Sequence, residues 1–346
     1  MMYNDEREYQ FYAREFNISY TSLAMLVDSP AQFYKEYVLG EKEVKEERYF
    51  TKGKIIHYLM LDNGLFDEHF ILAASGIPTE NTEKVLKRVL EHHLELEANN
   101  EARGTNLEDY KNAILDILRD MNLHQSLADD KKHPFITGDE KRIEKIIDDK
   151  SKAYFEFLLK KGNKQIIDPD TLEKCKVVAD MLKADKEISK LLGLDLEGTD
   201  PNYGVYNELE HKVKLKGFPF GLKGIIDNLV VDVNNKVVNI NDLKTTSKSI
   251  SDFEESVDKY KYWMQASIYK ILAKSFLKDV IDESWTINVN FLVVDKYNQY
   301  YPFPVSKGSI DEWTQETIQL LNHAKYHYEN RDYSLPWKFL AGKVEL

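Results

Sequence analysis

The chain has 346 residues, of which 42% are hydrophobic and 31% are charged, and its formal net charge is −12. This is the composition of a globular protein with ample material for a core, and no stretch approaches the roughly 18 apolar residues of a membrane-spanning helix. The negative charge argues against a general nucleic-acid coat, because phosphate neutralisation needs lysine and arginine. It leaves open an enzyme with a basic groove on an acidic body.

A single cysteine, Cys175, limits the chemistry that the chain can support. It excludes an internal disulfide framework, a cysteine-based zinc site and a cysteine-held iron–sulfur cluster. The first residues, "MMYNDEREYQFYARE", are polar and acidic, so they do not predict a signal peptide. We therefore expect a reducing, cytoplasmic location and no membrane partner.

The first 65 residues are typical of helices. A short amphipathic segment covers Leu23–Val27, and a second start follows, with Ser29 as N-cap and Pro30 at the first helical position. Gly40 is the expected stop of that helix. The stretch "FTKGKIIHYLMLDNG" predicts a further helix, which carries His57.

Residues 80–200 form a long polar region with three helical stretches, "TEKVLKRVLEHHLELEA", "LEDYKNAILDILRDM" and "LEKCKVVADMLKADKEISKLLG". Two stretches between them, "HPFITGDEKR" and "KGNKQIIDPD", are predicted loops. No internal repeat or low-complexity tract is evident.

The pattern changes after Pro201, where β-branched and aromatic residues alternate between turn residues. The predicted strands are "YGVYNELEHKVKLKG", "FGLKGIIDNLVVDV", "KVVNINDLKTT", "SWTINVNFLVVD" and "QYYPFPVS". One helix is predicted at about 252–278 and another at about 309–330. The sequence thus predicts a mixed α/β (α+β) body with a large helical N-terminal half.

A tight hairpin brings two aspartates together. Asn234–Asn235 suits a two-residue turn that pairs Val233 with Lys236, because Asn tolerates the positive φ required there. Counting back from this turn places Asp227 directly opposite Asp242, with β-carbons roughly 4.5–5.5 Å apart. A four-residue loop keeps the same register, whereas a bulge would shift it by one residue.

Two carboxylates that face each other on an apolar hairpin repel, so a cation between them would explain the arrangement. Oxygen ligands of this kind suit Mg²⁺ or Mn²⁺ better than zinc. Lys244, two residues after Asp242, points to the same face of the strand. Two alternatives stay open: a slipped register with one aspartate in solvent, and an ordinary surface salt bridge between Asp242 and Lys244.

Asp227 followed by Asp242-Leu243-Lys244 resembles the core of the PD-(D/E)XK nucleases. The order of the flanking motifs is similar to that of the RecB-like and exonuclease VIII-like (RecE-type) branch, which is common in phages. The segments that carry this resemblance are "SYTSLAMLVDSPAQFY", "GKIIHYLML", "LKGIID", "DLKTT", "QASIY" and "YENRDYSLPWKF". Two departures are Ile226 in place of the nominal proline, and the absence of the four cysteines that hold an iron–sulfur cluster in some relatives.

The resemblance implies a restriction-endonuclease-like core with a mixed sheet flanked by helices. It divides the chain into N-terminal helices with the His motif (1–79), a helical insertion or arch (80–200) and the catalytic core (201–346). The insertion would guide DNA or form oligomers.

The resemblance also implies the ligands of Mg²⁺ or Mn²⁺. Asp227 and Asp242 would hold the ion, with the Leu243 carbonyl and His57 as further ligands. Lys244 would contact the attacking water and the scissile phosphate. Without the resemblance, His57 would more often be a core histidine.

Two further groups of residues are implied near the metal. Gln265 and Tyr269 lie four apart on one helix face and would position the substrate strand, although Tyr269 suits plain helix packing equally. Related enzymes carry a glutamate on the strand before the hairpin. Glu208 and Glu210 both qualify, with a slight preference for Glu210, and either could be solvated.

A last group of candidate residues concerns DNA contacts near the motifs. The candidates are Lys223, Lys248, Lys259, Lys261 and Arg48, which could meet phosphates. The alternative is that these charges are simply solvated, as lysines on strand edges commonly are. No base-reading element is evident, which favours sequence-independent cleavage.

The function implied is a Mg²⁺-dependent DNA exonuclease that acts from double-stranded ends in phage-type recombination. Its partners would be DNA ends, a single-strand annealing protein and further copies of itself in a ring. Two alternatives are a CRISPR-adaptation-like end-trimming nuclease without a cluster and a non-catalytic module that binds DNA ends. RNA is not excluded as a substrate.

Overall fold

The structure is a computed structural model, and it describes residues 6–42, 49–101, 104–128, 138–196 and 202–342. The chain divides into two compact units. The first unit comprises Met1–Asn63 and Lys174–Leu346, and the second comprises Gly64–Glu173. The functional division expected from the sequence has other boundaries and stays a prediction.

The described residues form helices, strands and short helical turns. The helices are α1 (Glu6–Ala13), α2 (Tyr20–Asp28), α3 (Pro30–Phe33), α4 (Tyr49–Leu61), α5 (Asn63–His69), α6 (Glu80–Ala98), α7 (Lys111–Asp120), α8 (Gln125–Ala128), α9 (Gly138–Glu144), α10 (Asp149–Lys161), α11 (Pro169–Ala184), α12 (Lys186–Leu192), α13 (Phe253–Lys259), α14 (Tyr262–Phe276), α15 (Lys307–Asn330) and α16 (Trp337–Leu340). The strands are β1 (Asn17–Ile18), β2 (Phe70–Leu72), β3 (Gln165–Ile167), β4 (Tyr203–Lys214), β5 (Gly221–Asp232), β6 (Val237–Thr245), β7 (Thr286–Val294) and β8 (Tyr300–Pro304). A π-helical turn (Tyr34–Val38) and 3₁₀ turns (Leu107–Tyr110, Ile250–Asp252) complete them.

Within the described residues, the first unit contains a six-stranded mixed sheet in the order β1-β5-β6-β7-β8, with β4 also paired to β5. The β5–β6 and β4–β5 pairs are antiparallel, whereas β6 and β7 run parallel and are connected through α13 and α14. This confirms the predicted mixed α/β fold with a central sheet and a helical N-terminal half.

The hairpin of β5 and β6 has the predicted register. Asp232 pairs with Val237 and Asn228 pairs with Asn241, so the loop between the strands has four residues rather than two. Both loop lengths lead to the same register, and the positive φ of the turn falls at Lys236 (+53°) rather than at the asparagines.

The core of the first unit lies between the sheet and the helices that cover it. Ile268 and Leu272 of α14, Ile240 of β6, Leu23 of α2 and Leu321 of α15 all belong to one buried hydrophobic cluster. Helix α14 is buried around most of its circumference, as expected for a helix between a sheet and other helices. This packing holds α14 rigidly against the strands that carry the aspartates.

The predicted helix at 252–278 is wrong in one respect, because it is two helices, α13 and α14. Lys261 between them has a left-handed backbone (φ +53°), which ends one helix and begins the next. No glycine or proline marks this break, so local residue preferences could not reveal it.

Both predicted loops also need correction. The stretch "KGNKQIIDPD" contains β3, which pairs in parallel with β2. Such a short strand depends on its partner, so its own sequence hardly signals it. The second half of "HPFITGDEKR" lies in α9, whereas 133–137 lie outside the described residues.

The second unit has a hydrophobic core of its own. Helices α6, α7 and α10 contribute Val85, Ile114, Leu118 and Phe155, all fully buried. In the parts of both units that the structure describes, no helix combines the length and apolar character needed to cross a bilayer.

Candidate active site

Strands β5 and β6 separate at the position of the two aspartates. The last backbone pair before this point is Asn228–Asn241, and Asp227 and Asp242 occupy the next position. There the Asp227 carboxylate accepts a hydrogen bond from the Leu243 N–H (2.9 Å). The Asp227 side chain thus takes the place of a β5 backbone carbonyl as the acceptor for the Leu243 N–H.

Lys244 pairs with Asp242 in a buried environment. Its Nζ lies 2.6 Å from Asp242 Oδ2, and the Asp242 side chain is only 2% exposed. Because the pair is buried, it is not the ordinary surface salt bridge that the sequence left open. Its contribution to folding is therefore governed by the cost of desolvating both charges as well as by their attraction.

The pKa values of this pair reflect opposing effects. The pKa of Asp242 is raised to about 7, chiefly by burial. The charge of Lys244 lowers this pKa, whereas the charge of Asp227 raises it. Burial alone would lower the pKa of Lys244, but the negative charges of Asp242 and Asp227 outweigh this and raise it. Lys244 thus stays an ammonium group, whereas Asp242 is costly to keep ionised without a further cation.

Helix α4 brings His57 to the aspartates. His57 Nδ1 lies 3.9 Å from Asp227 Oδ2, and Nε2 contacts Glu208 Oε1. A Cβ on Gly53 would collide with Thr245 Oγ1 at the end of β6, so the glycine permits this close approach of α4. Burial lowers the pKa of His57, but the hydrogen bond to Glu208 and the charge of Asp227 raise it overall.

Glu208, not Glu210, belongs to this cluster. Glu208 sits across from Asp227 on β4, between the paired positions of Asn207 and Leu209, and has a left-handed backbone (φ +50°) that is uncommon for a side chain of this size. Glu210 is exposed and pairs with Lys212 at 3.3 Å. The structure therefore favours Glu208 over Glu210, whose role at a metal stays a prediction. Both residues share one face of an ideal strand, and only the irregular backbone at Glu208 distinguishes them.

Helix α14 contributes Gln265 and Tyr269, as expected from their spacing. Gln265 Nε2 lies 2.8 Å from the Tyr269 hydroxyl oxygen, and the buried Gln265 Oε1 has no hydrogen-bond partner among the described residues. Burial raises the pKa of Tyr269 well above its ordinary value, and the charges of Asp227 and Asp242 raise it further. Tyr269 therefore faces the aspartates as a neutral hydroxyl.

A chain of asparagine amides crosses the sheet beside the aspartates. Asn290 donates to Asn241 (2.9 Å), Asn241 to Asn228 (2.7 Å) and Asn228 to Asn207 (2.8 Å). Asn228 and Asn241 also donate to carbonyls at the end of α12. This network was not predicted from the sequence, although each of these two asparagines directly neighbours an aspartate and they face each other in the predicted register.

The predicted DNA-contacting lysines lie in varied surroundings. Lys248 pairs with Glu255 (3.1 Å) and Lys261 with Asp28 (2.7 Å). Lys223 is exposed on β5, across from another lysine of β4. The Lys259 ammonium lies over the neighbouring tyrosine ring, and Arg48 falls outside the described residues. Their contact with DNA stays a prediction.

The donor set is chemically suited to Mg²⁺ or Mn²⁺. Asp242 Oδ1 is buried without a hydrogen-bond partner among the described residues, and buried carboxylate oxygens normally have one. A divalent cation held by Asp227 and Asp242 would satisfy this oxygen.

The donors currently satisfy one another. Glu208 contacts His57, and Lys244 contacts Asp242. Within the described ranges, no three His, Cys, Asp or Glu side chains are already arranged as a metal site. A metal ion held by these side chains would replace some of these contacts.

Comparisons with known proteins support a family relationship. The family model of the PD-(D/E)XK nuclease superfamily matches residues 17–331. No curated protein sequence matches the chain. The crystal structure of a "Putative exonuclease" from Eubacterium rectale is similar with a TM-score of 0.42 and 12% identity, over 93% of this chain and 83% of that chain.

Proposed function

Because this chain belongs to the PD-(D/E)XK nuclease superfamily, we propose that it is a Mg²⁺- or Mn²⁺-dependent DNA exonuclease. It hydrolyses phosphodiester bonds from the ends of double-stranded DNA. The observation that carries the proposal is the buried Asp242, which has an oxygen without a hydrogen-bond partner and lies beside Lys244. A divalent ion would satisfy this oxygen, and the neighbouring ammonium group could stabilise negative charge on a phosphate.

Asp227 and Asp242 would hold the metal ion, with His57, Glu208 and the Leu243 carbonyl as further ligands. When bound, a divalent ion supplies charge stabilisation at the phosphate and makes water more acidic. The Leu243 N–H fixes the orientation of the Asp227 carboxylate. The two carboxylates are thus placed by the strands themselves rather than by loops.

Lys244 acts on the substrate. Its ammonium group stays charged beside Asp242 and donates hydrogen bonds to the scissile phosphate or to the attacking water. Gln265 Oε1 is a buried acceptor without a partner among the described residues, and Tyr269 anchors the amide nitrogen of the same side chain. Together these two residues orient the substrate strand or a water molecule at the site.

The family resemblance alone supports the remaining parts of the proposal. These are attack from DNA ends, a role in phage-type recombination with a single-strand annealing protein, and a ring of identical subunits. A DNA-guiding or oligomer-forming role for residues 80–200 belongs to the same group of proposals.

The test is digestion of end-labelled linear DNA and of closed circular DNA with Mg²⁺, Mn²⁺ or EDTA. We expect metal-dependent loss of the linear DNA only. Asp242→Asn and Lys244→Ala should each lower the rate by about 100-fold or more, since each removes charge stabilisation in a buried site. Glu210→Gln is the matched control, because this carboxylate is exposed, and it should cut at the wild-type rate.

Other outcomes would revise or overturn the proposal. Equal cutting of the closed circle would make the protein an endonuclease, and preferential cutting of RNA would change the substrate. Binding of DNA ends without any cutting by the wild type would indicate a non-catalytic module. Activity that survives both substitutions would remove the proposed site.

A further inference from the structure

The ammonium group of Lys244 has a second neighbour besides Asp242. Its Nζ lies over the ring face of Tyr262, 4.8 Å from the ring centroid. An ammonium group in this position is attracted by the electron-rich face of the ring, and the attraction grows when the pair is shielded from water. Lys244 has 16% of its side chain exposed, so the contact is largely shielded.

The Tyr262 ring is itself immobilised by other aromatic rings. It stacks on Phe253 with centroids 6.1 Å apart and an interplanar angle of 25°, and it lies 6.2 Å from Phe291. Both phenylalanines are at most 3% exposed and belong to the core. The ring face is therefore presented to Lys244 by a rigid support.

The backbone around Tyr262 is also held in place. Tyr262 is the first residue of α14, directly after Lys261, whose left-handed backbone begins the helix and whose ammonium pairs with Asp28 (2.7 Å). Residues three and four apart share a helix face, so Tyr262, Gln265 and Tyr269 project on the same side of α14. One helix face thus carries all three side chains toward the aspartates.

A second holder for Lys244 matters because Asp242 has two roles. In the structure the Asp242 carboxylate pairs with the Lys244 ammonium. In the proposed function the same carboxylate also binds a divalent cation, which would repel Lys244 and compete with it for Asp242. A tyrosine ring attracts an ammonium without being a ligand that the cation needs. It can keep Lys244 at the site when Asp242 is engaged elsewhere.

We propose that Tyr262 is a positioning residue, whose ring face keeps the ammonium group of Lys244 directed at the scissile phosphate. This inference rests on the proposed nuclease function and deepens it. Tyr262 acts through Lys244, so its aromatic face, rather than its hydroxyl or its size, is the property that counts.

The test replaces Tyr262 by Phe, by phenylalanines with one, two and three ring fluorines, and by Leu. Fluorine draws electrons from the ring face while nearly keeping its size, so it weakens attraction for a cation stepwise. We expect Tyr262→Phe to stay within about two-fold of the wild-type kcat, and kcat to fall with each fluorine. Tyr262→Leu should lose about 3- to 30-fold, with KM for DNA nearly unchanged.

Tyr260 provides the matched control. Its ring is exposed and lies 5.6 Å from the Tyr262 ring, and the same fluorinated series there should leave kcat unchanged. If kcat does not change across the fluorinated series at Tyr262, or if it falls equally at Tyr262 and Tyr260, the Tyr262 ring only fills space. That result would overturn the inference.

A second measurement does not depend on activity. In protein with ¹³C-labelled lysine, the Lys244 ε-methylene signal, identified by its loss in Lys244→Arg, should be shifted upfield by the Tyr262 ring. The shift should persist in Tyr262→Phe and disappear in Tyr262→Leu, and an unchanged signal would contradict the contact. If the wild type cuts no nucleic acid, the proposed function fails, and this measurement still decides whether Tyr262 holds Lys244.

Discussion

The carboxylate of Asp227 accepts a hydrogen bond from the backbone N–H of Leu243 (2.9 Å) where strands β5 and β6 part. Asp227 therefore has a structural role besides the metal binding that we propose for it, because it satisfies a donor that the neighbouring backbone no longer reaches. Leu243 is 8% exposed, so this N–H has little access to water.

The first prediction separates these two roles of Asp227. Asp227→Asn keeps an oxygen that can accept the hydrogen bond, whereas Asp227→Ala leaves the Leu243 N–H without a partner. Both changes remove the like charge beside Asp242 and should abolish hydrolysis. In urea unfolding, the alanine variant should be less stable than the asparagine variant by about 1–3 kcal/mol. Equal stability of the two variants would show that this hydrogen bond contributes little.

A second prediction concerns the two glutamates of β4. Glu208 contacts His57, whereas Glu210 is exposed and pairs with Lys212. Glu208→Gln should lower the rate of DNA hydrolysis by about 10- to 100-fold, because it disturbs the orientation and charge of the His57 imidazole, which we propose as a metal ligand. Glu210→Gln should remain within about two-fold of wild type. The opposite order of effects would return the assignment to Glu210.

A third prediction follows from the contact between Gly53 and Thr245. Alanine usually stabilises a helix relative to glycine by about 0.5–1 kcal/mol, but here its Cβ meets Thr245 Oγ1. Gly53→Ala alone should therefore destabilise the protein and lower activity by displacing His57. In the Thr245→Ala background the same change should become neutral or stabilising. A double-mutant cycle on the free energy of unfolding measures this coupling, and simple additivity would contradict it.

Metal binding should be visible in stability without any substrate. At a tenfold excess over its dissociation constant, Mg²⁺ should stabilise the folded wild type by about 1.4 kcal/mol and raise its midpoint of thermal unfolding. Asp242→Asn should lose most of this stabilisation, because it removes one carboxylate ligand, whereas Glu210→Gln should retain it. An Mg²⁺-induced shift of equal size in the asparagine variant would place the metal elsewhere.

The last prediction concerns the pH dependence of helix α12. The carbonyl groups at the end of this helix accept hydrogen bonds from Asn228 and Asn241. Asp185 caps α12 by accepting from the N–H groups of Glu187 and Ile188, and it also accepts from the Tyr300 hydroxyl. The Tyr300 bond and then the backbone bonds hold the pKa of Asp185 below its usual value. A lowered pKa means that the ionised group stabilises the folded protein above the unfolded-state pKa, and that this contribution is lost as the pH falls through the folded-state pKa.

Asp185→Ala should therefore cost about 1 kcal/mol of stability at neutral pH. The difference from wild type should shrink as the pH falls below about 4, the ordinary range of an aspartate pKa. Chemical denaturation between pH 7 and pH 2.5 measures this, and Asp185→Asn is the control that keeps a capping oxygen. A difference that stays constant across this range would show that the carboxylate charge is not involved.

Local sequence patterns were enough to predict the strands β4 to β8 and the register of the hairpin. Alternating β-branched residues indicate strands, and turn chemistry with a fixed number of loop residues determines which positions face each other. The opposition of Asp227 and Asp242, with Lys244 on the same face, follows from this register, because it depends on contacts between residues close in the chain.

The tertiary structure alone decided which glutamate joins them. Glu208 was distinguished from Glu210 by a left-handed backbone, and its partner His57 lies 151 positions away in the chain. The break before Tyr262, and the position of its ring over Lys244, likewise depend on aromatic residues from separate elements. Periodicity carries no information about such contacts, because they arise when distant elements pack and each backbone adjusts to the others.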